Sequence, residues 1–261
     1  MWILAINTAT DALGVAVAWC GDEGQCDVRA DLILAPEGAI TPGDSAASPC
    51  GAASPRGAAS PRGPGHSERL LPAIAWATES AGISAADLGG VAVVAGPGGF
   101  TGIRTGLAVG KAIAQARGIP VWGVNTLEAL AAGFPGPGLV SPLLDARRGD
   151  VFAALYRRDG AGGLECLTEP TLMPLTAWLA QNSAQPTAYV GEGAERNAAA
   201  MASNPDALWV GPEAHALRSS VVARLAAAHL LEGGEAPAGL VPRYHRAPVM
   251  APDWQPQVTM K

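Results

Sequence analysis

The stretch from Val91 to Lys111 constrains the fold more than any other part of this 261-residue chain. It starts with the apolar run Val91–Ala95, continues through the turn Gly96-Pro-Gly-Gly99 and ends in a helix-compatible segment. A continuous β-branched run of this kind is typical of a strand buried on both faces. The pattern therefore predicts a strand, a tight turn and a helix at about 101–117, as in α/β proteins.

Small residues recur at every fourth position of this predicted helix: Gly102, Gly106, Gly110, Ala114 and Gly118. A glycine inside a helix costs about 0.5–1 kcal/mol relative to alanine, so a row of glycines needs compensating contacts. Positions four apart share one helical face, and small side chains let another element approach that face closely. The approaching element is either a helix of another molecule or the protein's own sheet.

Composition and charge exclude several classes of protein. Apolar residues make up 49% of the chain and charged residues 15%, which is enough for a folded core. The net charge is −6, and the only lysines are Lys111 and Lys261, so no basic run could hold a nucleic-acid backbone. The four cysteines form neither Cys-x-x-Cys pairs nor a dense framework, which favours a reducing compartment. Without a leader pattern or a membrane-length apolar run, we expect a cytoplasmic protein.

A six-residue repeat sets one segment apart from the rest. Three units between Ala46 and Gly63 each begin with Ala-Ala-Ser-Pro and end with glycine. Proline and glycine prevent sustained secondary structure, and the segment has little apolar area to offset its ordering entropy. We therefore expect a disordered surface insertion at about 36–65, which is tolerated because loop-closure entropy grows slowly with length.

The remaining pattern divides the chain into two lobes, 1–125 and 126–261. The first lobe is predicted to contain strands at 2–8, 14–19, 28–34, 91–95 and 121–124, with helices at 67–81 (N-cap Ser67) and 101–117. The second is predicted to contain strands at 139–145, 151–157, 164–168, 187–190 and 207–210, with helices at 175–181, 194–201 and 219–231. The shared order indicates an internal duplication. We expect the last helix and the tail to pack back on the first lobe.

Five ordered motifs carry a family resemblance: Ile3–Thr10, His66–Pro72, Gly96–Arg104, Asn125–Glu128 and Asp145–Phe152. Together they resemble the TsaB (YeaZ) family of bacterial tRNA threonylcarbamoyladenosine biosynthesis subunits. The similarity runs to at least Tyr156, with a weaker match at Val241–Arg246. A single motif would not identify the family, because glycine-rich turns follow strands in many nucleotide-binding folds.

The resemblance implies a two-lobed actin-like, Hsp70-like ATPase fold with ribonuclease-H-like lobes, in an accessory protein without catalytic residues of its own. Such proteins pair with the catalytic subunit TsaD and the ATPase TsaE, which together place a threonylcarbamoyl group on the adenosine beside the tRNA anticodon. The implied partners are therefore a TsaD-like subunit and a TsaE-like ATPase. A homodimer is implied in their absence, and tRNA is contacted only through the complex.

In this family, pairing uses the first two helices of the N-terminal lobe. Here those helices span 67–81 and 101–117, so the resemblance favours an intermolecular role for the small-residue face. The predicted partner interface comprises His66, Leu70, Leu71, Ile74, Thr78, Gly102, Ile103, Gly106, Leu107, Gly110 and Ala114.

Nucleotide binding has weaker support. We expect no intrinsic cofactor, although ATP or ADP could bind at the heterodimer boundary. Backbone amides of the glycine-rich turn could cradle phosphate at a helix N-terminus, or the glycines could serve only a tight turn. The candidate residues for such a site are Asn7, Thr8, Gly96, Gly98 and Gly99.

Two catalytic alternatives are less favoured. A stand-alone actin-like ATPase or small-molecule kinase needs a carboxylate near the end of its first strand to hold magnesium-bound phosphate, and this chain has Asn7 where TsaB relatives commonly have aspartate. A metallopeptidase-like enzyme needs a metal site, which in the catalytic relative is built on two histidines about four apart on a helix. No such pair exists among His66, His215, His229 and His245.

Overall fold

The computed structural model describes residues 1–21, 25–35, 65–182, 185–208 and 210–243. Within these ranges the chain forms two five-stranded sheets, each with helices packed against it. The predicted two-lobed α/β architecture is confirmed. The predicted insertion at 36–65 lies outside the described residues except for Gly65.

The first sheet has the strand order β3-β2-β1-β4-β5. Strands β1, β2 and β3 form an antiparallel meander, and β4 and β5 run parallel to β1. The strands are β1 (Trp2–Asn7), β2 (Leu13–Cys20), β3 (Cys26–Leu34), β4 (Leu88–Gly96) and β5 (Val121–Asn125).

The second sheet repeats this arrangement with the order β8-β7-β6-β9-β10 and the same strand directions. The predicted internal duplication is therefore present at the level of topology. The strands are β6 (Gly138–Asp145), β7 (Asp150–Arg158), β8 (Leu164–Pro174), β9 (Thr187–Val190) and β10 (Ala207–Leu208).

Helices cover both faces of the first sheet, whose central strands are almost wholly buried. Helix α1 (His66–Ser80) lies over β2 and β3, and α2 (Phe100–Arg117) lies over β4 and β1. Helix α7 (Ser219–Leu231) contacts all five strands from the other side. The first lobe is thus completed by a helix from the second half of the chain.

Four shorter helices accompany the second sheet. They are α3 (Thr126–Gly133), α4 (Leu175–Asn182), α5 (Glu192–Arg196) and α6 (Ala198–Ala202). The buried Trp178 of α4 donates its indole N–H to Ser141 Oγ at 2.9 Å, which satisfies both polar groups inside this lobe. None of the helices in the described ranges combines the length and the apolar character that a membrane crossing requires.

Three local predictions need correction. Helix α1 begins at His66 with Gly65 as its N-cap, so Ser67 lies in the first turn and does not cap it. The single helix predicted at 194–201 is two short helices that meet at Asn197. Helix α3 was not predicted, although Asn125 Oδ1 accepts the N–H groups of its first turn and so forms an N-cap.

The cysteine interpretation also differs from the structure. Cys20 and Cys26 are directly opposite each other at the paired ends of β2 and β3, and a disulfide joins them. Cys166 is an exposed free thiol on β8. The six-residue separation of the bonded pair carried no recognised motif, so spacing alone did not indicate it.

Candidate functional site

The polar side chains of Asn7 and Thr8, at the end of β1, are buried and serve the fold. Asn7 Oδ1 accepts the backbone N–H of Ala9 at 3.0 Å, and Asn7 Nδ2 donates to Thr10 Oγ1 at 2.9 Å. Thr8 Oγ1 donates to the carbonyl oxygen of Gly102 at 2.7 Å. The side chains of Asn7 and Thr8 are therefore satisfied by neighbouring protein groups.

The glycine-rich turn packs directly on the loop after β1. Gly99 donates its N–H to the carbonyl oxygen of Ala9 at 2.7 Å, and Thr126 Oγ1 donates to the carbonyl oxygen of Pro97 at 2.5 Å. Gly98 has a positive φ, and a Cβ there would collide with Ala9. Close packing and backbone conformation thus account for this glycine, as the tight-turn alternative expects.

The small-residue face of α2 points inward. A Cβ added to Gly102 would strike the carbonyl oxygen of Thr8, and one added to Gly106 would strike the Thr8 hydroxyl. At Gly110 the obstacle is the side chain of Val93 on β4. The prediction of an intermolecular contact is therefore wrong for Gly106, Gly110 and Ala114, which are buried where α2 lies close to its own sheet. Gly102 is partly exposed, and a partner contact at this residue stays a prediction.

Four apolar members of the predicted interface are also interior residues. Their side chains belong to the hydrophobic core of the first lobe and are at most 9% exposed. They are Leu70, Ile74, Ile103 and Leu107.

The opposite sides of α1 and α2 form an exposed surface that we call the outer helix face. On α1, Leu71 is 59% exposed and Trp76 is 47% exposed, although large apolar side chains are usually buried in a monomer. Helices α1 and α2 also contact each other, which brings their outward sides to the same side of the lobe. The outer helix face comprises Leu71, Pro72, Ala75 and Trp76 of α1 and Ala108 and Ala112 of α2. Of the predicted interface residues, Leu71 lies on this surface, and His66 and Thr78 are partly exposed on α1.

An ion-pair network joins the two lobes near the start of α1. The Arg196 guanidinium on α5 pairs with the carboxylates of Asp11, in the β1–β2 turn, and Asp145, at the end of β6. The Asp11 backbone N–H donates to Glu192 Oε2 at 3.1 Å. His66 Nε2 lies 3.1 Å from the Asp11 carbonyl oxygen, so the first residue of α1 contacts the same turn. We call these five residues the interlobe network.

Two carboxyl groups of this network, those of Glu192 and Asp145, have pKa values shifted in opposite directions. Burial raises the pKa of Glu192, although the Asp11 N–H bond opposes the effect. Burial also disfavours the Asp145 carboxylate, but hydrogen bonds from the Arg147 amide and Arg196 outweigh it and lower the pKa of Asp145. Asp145 therefore favours its charged form in the folded protein, which suits its pairing with Arg196.

In the part of the chain that the structure describes, no three His, Cys, Asp or Glu side chains cluster closely enough to hold a metal ion. His66 instead lies against the Asp11 carbonyl, and position 70 on the same helical face is the buried Leu70.

Comparison with protein families shows one match that covers most of the chain. The model of the family described as "TsaD: tRNA N6-adenosine threonylcarbamoyltransferase" matches residues 55–232. A Bacillus subtilis (strain 168) protein named "tRNA threonylcarbamoyladenosine biosynthesis protein TsaB" is 38% identical over 115 residues, which cover 44% of this chain and 50% of that protein. The Escherichia coli (strain K12) protein of the same name is 32% identical over 165 residues, covering 62% and 58% of the two chains. The chain thus spans about half the length of these relatives.

A solved structure shares the whole architecture. YeaZ from Pseudomonas aeruginosa superimposes with a TM-score of 0.65 at 22% identity, over 93% of this chain and 100% of that protein. At this level of identity the likeness concerns the fold, and it agrees with the duplicated two-sheet architecture described above.

Proposed function

Because this chain belongs to the TsaB (YeaZ) branch of the TsaD family, we propose that it is a non-catalytic partner subunit of the complex that forms threonylcarbamoyladenosine in tRNA. In this role it activates a TsaD-like catalytic subunit by forming a heterodimer with it. The TsaE-like ATPase is the third protein of the complex, and tRNA is contacted through the complex as a whole.

The outer helix face carries the proposal. It combines two large exposed apolar side chains, Leu71 and Trp76, with the small side chains of Ala108 and Ala112. Patches of exposed apolar surface mark interaction sites in soluble proteins. The contact depends on this outward side of α1 and α2, since the glycine-rich side of α2 is already occupied by β1 and β4.

A partner of the same family has an equivalent helix pair to offer. The family model that matches this chain is that of the transferase itself, and its match over residues 55–232 includes both α1 and α2. Two equivalent helix pairs can pack face to face about an approximate two-fold axis. The same geometry supports a homodimer through the outer helix face when the catalytic subunit is absent.

Activation then works by selection of one conformation. A subunit that contacts the competent arrangement of its partner better than other arrangements shifts the partner toward it.

The chain itself has Asn7 where an ATPase of this fold needs a carboxylate, and the side chain of Asn7 is already hydrogen-bonded to Ala9 and Thr10. We therefore place any ATP or ADP at the heterodimer boundary.

Reconstitution tests the proposal directly. Purified TsaD-like subunit, TsaE-like ATPase and substrate tRNA are assayed for threonylcarbamoyladenosine with and without this chain. We expect modification to depend on the chain. Full-rate modification in its absence would refute the proposal, and phosphate release by the chain alone with ATP would favour the stand-alone ATPase.

A pair of tryptophan variants tests whether the outer helix face binds the catalytic subunit. Trp76→Asp should weaken binding of the catalytic subunit at least tenfold, because a carboxylate would be buried in an apolar interface. Trp19→Asp is the matched control, since Trp19 is 46% exposed on β2 and lies outside the outer helix face. Equal loss of binding in both variants would argue against this surface.

A further inference from the structure

An open groove of about 580 Å³ runs along the outward side of α2. Its far wall is the segment 237–242, which follows α7 in the chain. Apart from Gln115 and two charged residues, the lining is apolar. Ala108 and Ala112 line the groove and also belong to the outer helix face, so the groove is continuous with that surface.

The far wall of the groove is bound to the rest of the first lobe. Lys111 Nζ donates to the carbonyl oxygen of Leu240 at 3.0 Å, and the Arg243 N–H donates to the carbonyl oxygen of Ala95 at 2.8 Å. The Leu240 side chain is 4% exposed and belongs to the core of the lobe. The groove therefore exists before anything binds to it, which lowers the entropic cost of binding.

Charge distinguishes this groove from the chain as a whole. Among the described residues that line it, the charged ones are Arg104 and Lys111, and both are cations, whereas the whole chain has a net charge of −6. They are seven residues apart on α2, which places them on one side of the helix and about 10 Å apart along its axis. Arg104 Cζ lies 3.8 Å from the centre of the Phe100 ring, and this contact orients the guanidinium.

We propose that the groove receives an acidic segment of the TsaD-like catalytic subunit, with carboxylates beside Arg104 and Lys111 and apolar side chains against Ala108 and Pro242. The inference rests on the proposed function, because the occupant belongs to the heterodimer partner. An ammonium group has three N–H donors, and the Lys111 bond to Leu240 uses one of them. Lys111 therefore binds a carboxylate without releasing the far wall.

The charge of the groove favours this occupant over a second copy of the chain. In a symmetric dimer through the outer helix face, each copy brings the same Arg104 and Lys111 to the contact, and like charges oppose association. An acidic segment neutralises these cations instead. The groove therefore selects the heterodimer over the homodimer when both partners are available.

Calorimetric titration of the full chain with purified catalytic subunit tests this inference, in phosphate-free buffer without nucleotide or tRNA. Arg104→Glu should weaken binding at least tenfold, because the new carboxylate repels the acidic segment. Arg224→Glu is the matched control and should bind like wild type, since Arg224 is exposed on α7, which covers the other face of the sheet. Equal affinities of Arg104→Glu and wild type would overturn the inference and leave the proposed function standing. A wild-type chain that fails to bind the subunit would refute the proposed function itself.

Salt dependence separates the charge of the groove from its structure. Lys111→Gln removes the charge but keeps an N–H donor on the side chain that faces Leu240. Wild-type binding should weaken as the NaCl concentration rises from about 50 mM to about 300 mM, and the dependence should be smaller in Lys111→Gln. Identical salt dependence in the two proteins would contradict the inference.

Two further measurements exclude other occupants. Sedimentation of the chain alone should show that Arg104→Glu self-associates at least as well as wild type. Parallel loss of the homodimer and the heterodimer would assign the groove to a second copy and overturn the inference. A loss of heterodimer binding by Arg104→Glu that appears only when ATP is added would identify phosphate as the ligand, with the same consequence.

Discussion

The hydroxyl of Thr8 donates a 2.7 Å hydrogen bond to the carbonyl oxygen of Gly102, and this bond ties the end of β1 to the first turn of α2. Thr8 and Gly102 lie so close together that position 102 has no room for a side chain, because the Thr8 carbonyl oxygen occupies the place of a Cβ. Helix α2 is therefore fixed to the sheet by backbone-to-backbone contact at its start.

Gly102→Ala should destabilise the first lobe strongly. The new methyl group meets a backbone oxygen that cannot rotate away, so α2 must shift, and overpacking of this kind costs about 1–3 kcal/mol or more. Urea unfolding of the purified chain measures the loss. The control is Gly133→Ala in α3, where the nearest atom would be 3.6 Å away. We expect the control to be neutral or stabilising by up to about 1 kcal/mol, and comparable losses in both variants would contradict this account.

Arg196→Ala should loosen the contact between the lobes. Exposed ion pairs contribute about 0.2–1 kcal/mol each to stability, and the Arg196 guanidinium pairs with two carboxylates from different lobes. We therefore expect the free energy of unfolding to fall by about 1 kcal/mol. Hydrogen exchange should speed up at the β1–β2 turn and in α5. Arg157→Ala, which breaks the Arg157–Glu165 pair within one hairpin, should leave exchange at these segments unchanged.

The pH dependence of stability should reveal how much the ionised side chain of Asp145 stabilises the folded protein. Its pKa lies below the usual 3.8, so its ionised form stabilises the folded protein above that value, and the contribution is lost as the pH falls through the lower, folded-state pKa. The gap in unfolding free energy between wild type and Asp145→Asn should stay constant from about pH 7 to about pH 5 and shrink below about pH 4. A gap that persists unchanged at pH 3 would show that Asp145 acts independently of its charge.

Reduction should weaken the edge of the first sheet. The disulfide closes a short loop between β2 and β3, and the chain-entropy relation assigns such a loop about 2 kcal/mol. Urea unfolding with and without dithiothreitol measures this, and mass spectrometry should find two additional alkylated thiols after reduction. The double variant Cys20→Ser/Cys26→Ser should show no response of its stability to the reductant.

Sequence periodicity predicted the order of most elements correctly. The buried strand segment Val91–Ala95 is a continuous apolar run, and hydrophobic burial dominates at these positions. The paired topology of the two lobes could also be inferred, because each half shows the same succession of strands and helices. Element ends were less accurate: β8 extends to Pro174, six residues beyond the predicted end at Thr168.

The orientation of α2 could not be predicted from its own residues. The four-residue spacing shows that Gly102, Gly106 and Gly110 share a face, but it contains no information about which neighbour that face meets. Thr8 and Val93, which settle the matter, come from strands elsewhere in the sequence. The predicted interface includes Leu71 of the outward-facing side but not Trp76, whose exposure no local pattern indicated.

Long-range polar contacts were missed for the same reason. Asp11 and Arg196 are 185 residues apart, and neither belongs to a motif that suggests pairing.

For α3 a local signal did exist: Asn125 precedes an apolar segment and Glu128 follows three residues later, a pattern typical of a helix start. This pattern is sufficient to predict α3 from local sequence.

Helix α7 has a consequence for how the protein is made. The first sheet is complete once β5 leaves the ribosome, yet the helix that covers its second face is synthesised almost a hundred residues later. Until residue 231 emerges, one apolar surface of the nascent sheet stays in contact with water or with a chaperone. The N-terminal half therefore cannot mature as an autonomous unit during translation, and its final folding step coincides with the end of synthesis of the second lobe.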